Sequence, residues 1–298
     1  MPTNTAATLP TPLPLEETRR LVQRIVDLPT LPIIVPEVLR LVADQHASAG
    51  DLARVIGSDQ SLASRILRLA NSAFYGFRRE ILTINHAIVL LGFETVKNLV
   101  LASTVFDILG EGESGKYFDR ELFWLHAAAT GVAARLVART LRIIDPEAMF
   151  VGGLLHDVGK VVLDRYFGRH YAEAARLALQ RPCLIREAEV AAFNINHAEV
   201  GRWLAERWRF PAAIVEPIGF HHRPNAASPD YRAATAIVHI ADILTRNAGI
   251  GSGGDPLVPL PDHEVLKRLK INAPQLGHWT DGLLNERDAV AEFLQVIH

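Results

Sequence analysis

A single cysteine, Cys183, occurs in the 298 residues. No disulfide can form within the chain, and a lone thiol suits a reducing compartment, so the cytoplasm is the expected location. Neither sign of charge is in excess. Lys and Arg number 31 against 33 Asp and Glu, a formal net charge of -2. That balance lacks the electrostatic footprint of a nucleic-acid or membrane-surface partner. The opening stretch MPTNTAATLPTPLPL has no basic start and no continuous apolar core; it reads as a flexible tail over 1–15, not a secretory leader. The most apolar region, 81–109, is interrupted by Asn85, His86, Glu94, Lys97 and Asp107, which is too polar for a bilayer span. Convincing β alternation and internal repeats are missing as well.

What is present is helix after helix. Apolar residues recur at spacings of three and four over 33–45, 47–57, 59–72, 83–111, 119–143, 147–166, 170–180, 184–194, 197–209, 211–221 and 231–248. Proline and glycine punctuate between these segments, at Pro29, Pro32, Pro36, Gly76, Gly92, Pro182, Pro211 and Pro224. The reading is an all-α fold, a two-lobed helical bundle. A polar stretch at 110–119 separates an N-terminal lobe (16–111) from a C-terminal lobe (119–248). The sequence NAGIGSGGDPLVP (247–259) marks a flexible loop, bounded at 249–261, and a helical appendix follows over 262–298, with patterns near 262–270 and 281–297.

Within this apolar background, twelve histidines and several carboxylates stand out. Residues 153–160 read GLLHDVGK. The adjacent pair His156–Asp157 sits after an apolar run, where polar groups cost free energy unless satisfied. His126 shares a stripe with Leu122, Ala129, Ala133 and Leu136, and so points inward. His197 shares one with Val200, Trp203, Leu204 and Trp208. His221 and His222 close the segment after Pro211, and Asp242 lies in the apolar helix TAIVHIADILTR. One inward histidine reads most simply as a hydrogen-bonded core residue. Seven such groups point to a metal, since imidazole and carboxylate are ligands that Fe, Mn and Zn accept. His126, His156, Asp157 and Asp242 would supply a first ion. His197, His221 and His222 would supply a second, with Asp157 between the two. Gly152 and Gly153 allow another helix to approach, and Gly159 leaves room beside the pair. Lys160 reads either as a solvated helix lysine or as a cation that steadies a bound phosphate.

The order His126, His156–Asp157, Asp242, with GLLHDVGK around the pair, resembles the HD superfamily of metal-dependent phosphohydrolases. His197 and His221–His222 resemble its two-metal branch. The N-terminal stretches LPTLPIIVPEVLRLV, DLARVIGSDQSLASRILRLANSAFYG and ILTINHAIVLLGFETVKNLVL are similar to the HDOD domain, an all-α bacterial regulatory module, over roughly residues 20–245. That resemblance implies a signalling module acting through contacts with kinase, receiver or cyclase proteins. Many members have lost metal ligands, whereas here a nearly complete set remains. The HD likeness implies, in the alternative, a phosphodiesterase acting on a nucleotide or cyclic dinucleotide, with Asp157 and Lys160 at the chemistry and metal-bound water as nucleophile. No GYP motif follows His221–His222, which departs from the HD-GYP cyclic-dinucleotide hydrolases. A further alternative is a non-catalytic metal or ligand sensor.

Three other stretches read as structural. DLARVIGSDQSLASRIL has a helix-turn-helix flavour, with Ser61, Ser64, Arg65 and Arg68 as candidate DNA contacts, but an ordinary helical hairpin explains it. In NSAFYG, Phe74 and Tyr75 pack and Gly76 turns the chain; an exposed partner contact is the alternative. Val89, Leu90, Phe93, Val96, Leu99, Val100 and Phe106 read as core joining the lobes, and Trp203, Trp208 and Phe210 as core around the metal pocket.

Overall fold

The computed structural model describes residue 16 and residues 31–32, 34–43, 46–110, 117–142, 145–181 and 183–297. The tail read over 1–15 lies outside the described residues, as do Pro29, Pro182 and the middle of the 110–119 stretch. All regular structure among the described residues is helical.

The N-terminal lobe is built from α1 (Ile34–Ala43), α2 (Ala49–Gly57), α3 (Gln60–Asn71), α4 (Ile84–Leu91) and α5 (Phe93–Leu109). Local chemistry fixes the starts. Ser48 and Asp51 form a reciprocal capping box for α2, and Asp59 and Thr83 cap α3 and α4. The segment expected as one helix over 83–111 is two, bent by 117° at Gly92. The bend corrects the stripe drawn through it. Val96, Leu99, Val100 and Phe106 are core, but Val89 is 76% exposed and Leu90 42%. A wheel drawn through an unbroken helix puts them on the wrong side. Among the described residues no single helix is long and apolar enough to cross a membrane.

The hairpin of α2 and α3 packs on its own lobe. Arg65, a candidate DNA contact, is instead paired with Asp107 of α5 and donates to the Ser103 carbonyl. Phe74 is buried against Phe150 and Phe293, with the Arg135 guanidinium 3.8 Å over its ring.

The C-terminal lobe comprises α6 (Arg120–Leu141), α7 (Pro146–Leu155), α8 (Val158–Gln180), α9 (Ile185–Phe193), α10 (His197–Arg207), α11 (Ala212–Phe220) and α12 (Arg232–Ala248). The segments expected at 147–166 and 170–180 are differently divided. The break falls at His156–Asp157, and α8 runs unbroken through 166–170. Two residues assigned to inward stripes face outward: Leu122 in the first turn of α6 (42% exposed) and Trp203 (39%). Trp208 and Phe210 are buried as expected.

The appendix, α13 (His263–Leu269), α14 (Ala273–Asn285) and α15 (Arg287–Ile297), packs onto the rest of the chain. Trp279, Leu283, Val290 and Phe293 are fully buried, and Trp279 donates to Thr140 of α6. Glu292 of α15 accepts the Ala73 amide at the end of α3, so this appendix ties the two lobes together.

Candidate metal centre

Close helix packing brings the donors together. The break between α7 and α8 leaves His156 and Asp157 at a helix junction. Gly159, in the first turn of α8, lies so near α10 that a Cβ there would sit 1.9 Å from the His197 carbonyl oxygen. Only glycine fits that approach, and it sets Asp157 beside His197, the first residue of α10. Gly153 rests in the same way on the backbone of Thr130 and Gly131, which presses α7 onto α6 and sets His156 near His126. The end of α11 supplies His221 and His222, and α12 supplies Asp242.

All seven predicted side chains converge. His126, His156 and Asp242 form one group, and Asp157, His197, His221 and His222 a second; within each, one donor atom per residue lies within 4.8 Å of the others. Asp157 bridges them. Its Oδ1 lies 3.0 Å from His197 Nε2 and 3.5 Å from His221 Nε2, and its Oδ2 lies 3.3 Å from His156 Nε2. Asp242 Oδ1 is 3.1 Å from His126 Nε2 and 3.7 Å from His156 Nε2. Six of the seven are buried, and His222 is partly so.

Hydrogen bonding fixes which nitrogen faces inward. His156 Nδ1 lies 2.6 Å from the Gly153 carbonyl, and His221 Nδ1 lies 2.9 Å from the Ile218 carbonyl. A carbonyl oxygen only accepts, so each Nδ1 carries the proton. His197 Nδ1 is likewise held by the Glu189 carboxylate at 2.6 Å. In the neutral rings the Nε2 lone pairs then confront carboxylate oxygens. Two acceptors face to face repel unless a cation lies between them, a proton or a metal. The Nε2 atoms of His126, His156 and His221 and the Oδ1 of Asp157 are buried without a hydrogen-bond partner. Imidazoles oriented through Nδ1, with carboxylates opposite Nε2, are the arrangement that divalent metal sites use. The donor set therefore fits a divalent metal.

The electrostatics agree with the geometry. Burial opposes charge throughout, and pushes His221 down to about 4, a neutral ring able to ligate. Burial, with His221 and His197 close by, also holds His222 well below the usual histidine range. At His156 burial is outweighed by the Asp157 and Asp242 carboxylates, which push it up to about 9. The carboxyl of Asp157 is held well below its usual range despite burial, by His156, Lys160 and His197, and that of Asp242 by Arg246 and His126.

Lys160 departs from both of its sequence readings. It is fully buried, not solvated. Its three donors are committed to Asp157 Oδ2 (2.7 Å), the Gly253 carbonyl (2.8 Å) and Asp255 Oδ2 (3.2 Å), so none is free for a phosphate in this conformation. The loop over 249–261 contributes directly. Ser252 donates to the Leu122 carbonyl, and a Cβ on Gly251, whose φ is +66°, would fall 2.2 Å from the His126 nitrogen. The stretch expected to be flexible is anchored on α6, the helix that carries His126.

Four residues of the centre carry no assignment from the sequence. Glu189 orients His197; Asp255 pairs with Lys160 and Arg246; and Arg246 Nε donates to Asp242 at 2.7 Å. His239, on the same helix as Asp242, bonds to the His221 carbonyl and the Asp262 amide. Arg246 was readable as the i+4 partner of Asp242.

A helical chain that gathers imidazoles and carboxylates from five helix segments belongs to the class of α-bundles built around a His/Asp centre. More narrowly, it belongs to the HDOD family, whose model matches residues 28–224. An uncharacterized protein of Treponema pallidum (strain Nichols) is 26% identical over 227 residues, 75% of this chain and 43% of the relative; the chain thus spans less than half that relative's length. Among solved structures, an HDOD domain protein with unknown function from Geobacter sulfurreducens is 26% identical, with a TM-score of 0.72 over 95% of this chain and 98% of its own. A "Putative phosphohydrolase" from Shewanella amazonensis SB2B shares the fold at 24% identity and TM-score 0.72, over 93% and 98%. A "Putative signal transduction protein" from Marinobacter aquaeolei VT8 shares it at 21% identity and TM-score 0.78, over 95% of this chain and 65% of its own.

Proposed function

We propose that this HDOD chain is a signal-transduction module that works through protein contacts and retains a metal centre as a binding element. His126, His156 and Asp242 hold one divalent ion; His197, His221 and His222 hold a second, with Asp157 shared. Iron, manganese and zinc all match this donor set. The observation that carries this reading is the enclosure of the centre: a full complement of donors lies beneath the surface with the 249–255 loop across it. A closed cavity suits the holding of ions more than the passage of substrate. The outward-facing apolar side chains of the N-terminal lobe, Phe77, Leu82, Val89 and Leu90, supply a face for a kinase, receiver or cyclase. The Marinobacter fold relative's name carries the same signalling context.

A second reading, metal-dependent phosphodiester hydrolysis of a nucleotide or cyclic dinucleotide, is favoured by the completeness of the donor set and by the name of the Shewanella fold relative. The ions would supply a nucleophilic water and Lewis acidity. Asp157 would orient both ions, and Lys160, bonded to Asp157, would fix its position. A third reading, a sensor, keeps the ions without turnover.

The test is elemental analysis of anaerobically purified protein, followed by partner capture with purified signalling proteins and assay against cyclic dinucleotides. The expected result is bound metal, lost in Asp157→Asn, with partner capture retained in that variant and no turnover by either. Metal-free protein able to bind none on reconstitution would remove the metal readings. Turnover abolished by Asp157→Asn with the fold intact would replace the module with the enzyme.

A further inference from the structure

Beside the candidate ligands lie two buried cations that are not ligands, Lys160 and Arg246. Both meet one side chain of the 249–255 strap. Asp255 Oδ2 is 3.2 Å from Lys160 Nζ and 2.7 Å from Arg246 Nη1. Its other oxygen, Oδ1, accepts the Ile185 amide at 2.8 Å. The guanidinium is poorly served by this contact. Despite the short Nη1 distance, neither Nη1 nor Nη2 makes a directed hydrogen bond, and both atoms are buried. A guanidinium fork is shaped to hold two oxygens of one anion, and buried donors left without acceptors are uncommon. Here a single carboxylate oxygen is shared between two cations that could engage a larger oxyanion.

The strap lies across the approach. Beside it opens a cleft of about 300 Å³, lined by Tyr117, Phe118, Leu122 and Leu179, by the carboxylate-bearing Asp119, and by Ser252, Gly254 and Asp255 of the strap. The strap is short and has no helix of its own; Ser252 to Leu122 is its backbone hydrogen bond to α6. At its start Ile250 is buried and donates to the Thr245 carbonyl; beyond Ile250 the strap is held by the contact of Lys160 with the Gly253 carbonyl and by those of Asp255.

We infer that Lys160 and Arg246 form an oxyanion-binding half-site next to the metal centre, and that Asp255 is a built-in plug occupying it. A phosphate-bearing ligand enters from the cleft by displacing the Asp255 carboxylate and lifting the strap. The ligand then contacts Lys160 and Arg246 on one side and the donor cavity on the other. The role of the cavity rests on the metal reading above; the cation pair and its plug do not, since both are made by the chain itself.

The experiment therefore uses metal-stripped full-length protein and inorganic phosphate, with metal content measured separately, so that the two claims fail independently. Hydrogen exchange of the wild-type chain is followed by mass spectrometry with and without phosphate. Phosphate is expected to speed exchange in the peptide covering 250–256 by about threefold, as the Ser252 amide leaves the Leu122 carbonyl. Calorimetry is expected to show about tenfold tighter phosphate binding by Asp255→Asn, because the competing internal carboxylate is gone. Strap exchange unchanged at the highest phosphate concentration, or phosphate binding no tighter in a folded Asp255→Asn protein, would overturn the inference. Should that variant not fold, the wild-type exchange result decides alone.

Discussion

The two lobes are built on opposite principles. The interior of the N-terminal lobe is ordinary: Leu52, Ile56, Ile66 and Leu69 fill it, and the one buried charge among its described residues, Lys97, is paired with Glu94. The C-terminal lobe encloses Asp157, Lys160, Glu189 and Asp242, with Arg246 and Asp255 nearly as deep, around five buried histidines. Each enclosed charge carries a desolvation penalty of several kcal/mol that its partners must offset. Outside, both lobes expose apolar side chains, but differently: the N-terminal lobe turns Leu82, Val89 and Leu90, close together in the chain, to solvent, whereas Leu122, Leu179, Val190 and Trp203 of the C-terminal lobe lie on four separate helices. One lobe is stable by ordinary means and presents an apolar face. The other accepts electrostatic cost in order to keep a reactive set of donors enclosed.

Substitutions sharpen this contrast, or break it. Asp157→Ala has the largest expected effect. It strips Lys160 and three histidines of their shared carboxylate, and unfolding in urea should show a loss of about 3–5 kcal/mol together with loss of metal. In the other lobe, Leu52→Ala should cost about 3 kcal/mol by cavity formation yet leave metal content per folded chain unchanged. Glu189→Gln should do the converse. It keeps the shape and costs about 1–2 kcal/mol, but it loosens the orientation of His197, so metal affinity in a competition titration should fall about 10–100-fold. Val89→Ser should alter stability by no more than about 0.5 kcal/mol, and the account expects it to weaken capture of a signalling partner. Metal loss in Leu52→Ala, or unaltered affinity in Glu189→Gln, would erase the division between the lobes.

The convergence of these seven side chains was legible because they break a pattern. His126, His197 and Asp242 fall on or beside apolar stripes, where burial leaves an ionisable group only a partner or a ligand role. The all-helical architecture was legible from the same periodicity. Exposure at the helix ends was not, since Val89 and Leu90 follow an inward stripe only if the helix continues through Gly92. Glu189 was hidden for another reason: it caps His197 from a separate helix, and no spacing within one element encodes a contact between two. Asp255 was hidden more deeply. Within GIGSGGDP the glycines signal freedom of the backbone, and only the packed structure shows that freedom used to lay the strap against His126 and Lys160. Lys160, the last residue of GLLHDVGK, had the ordinary reading of a solvated helix lysine, and nothing in that stretch gave warning that it would be sealed over.

The convergence of imidazole and carboxylate groups on bound ions is the claim on which the rest depends. Anomalous diffraction from crystals soaked in manganese, collected at a wavelength where that ion scatters, addresses it directly. A peak is expected among His126, His156 and Asp242, bounded by Asp157, with a second peak toward His197, His221 and His222. Featureless anomalous density there, in crystals whose solvent is saturated with the ion, would contradict it.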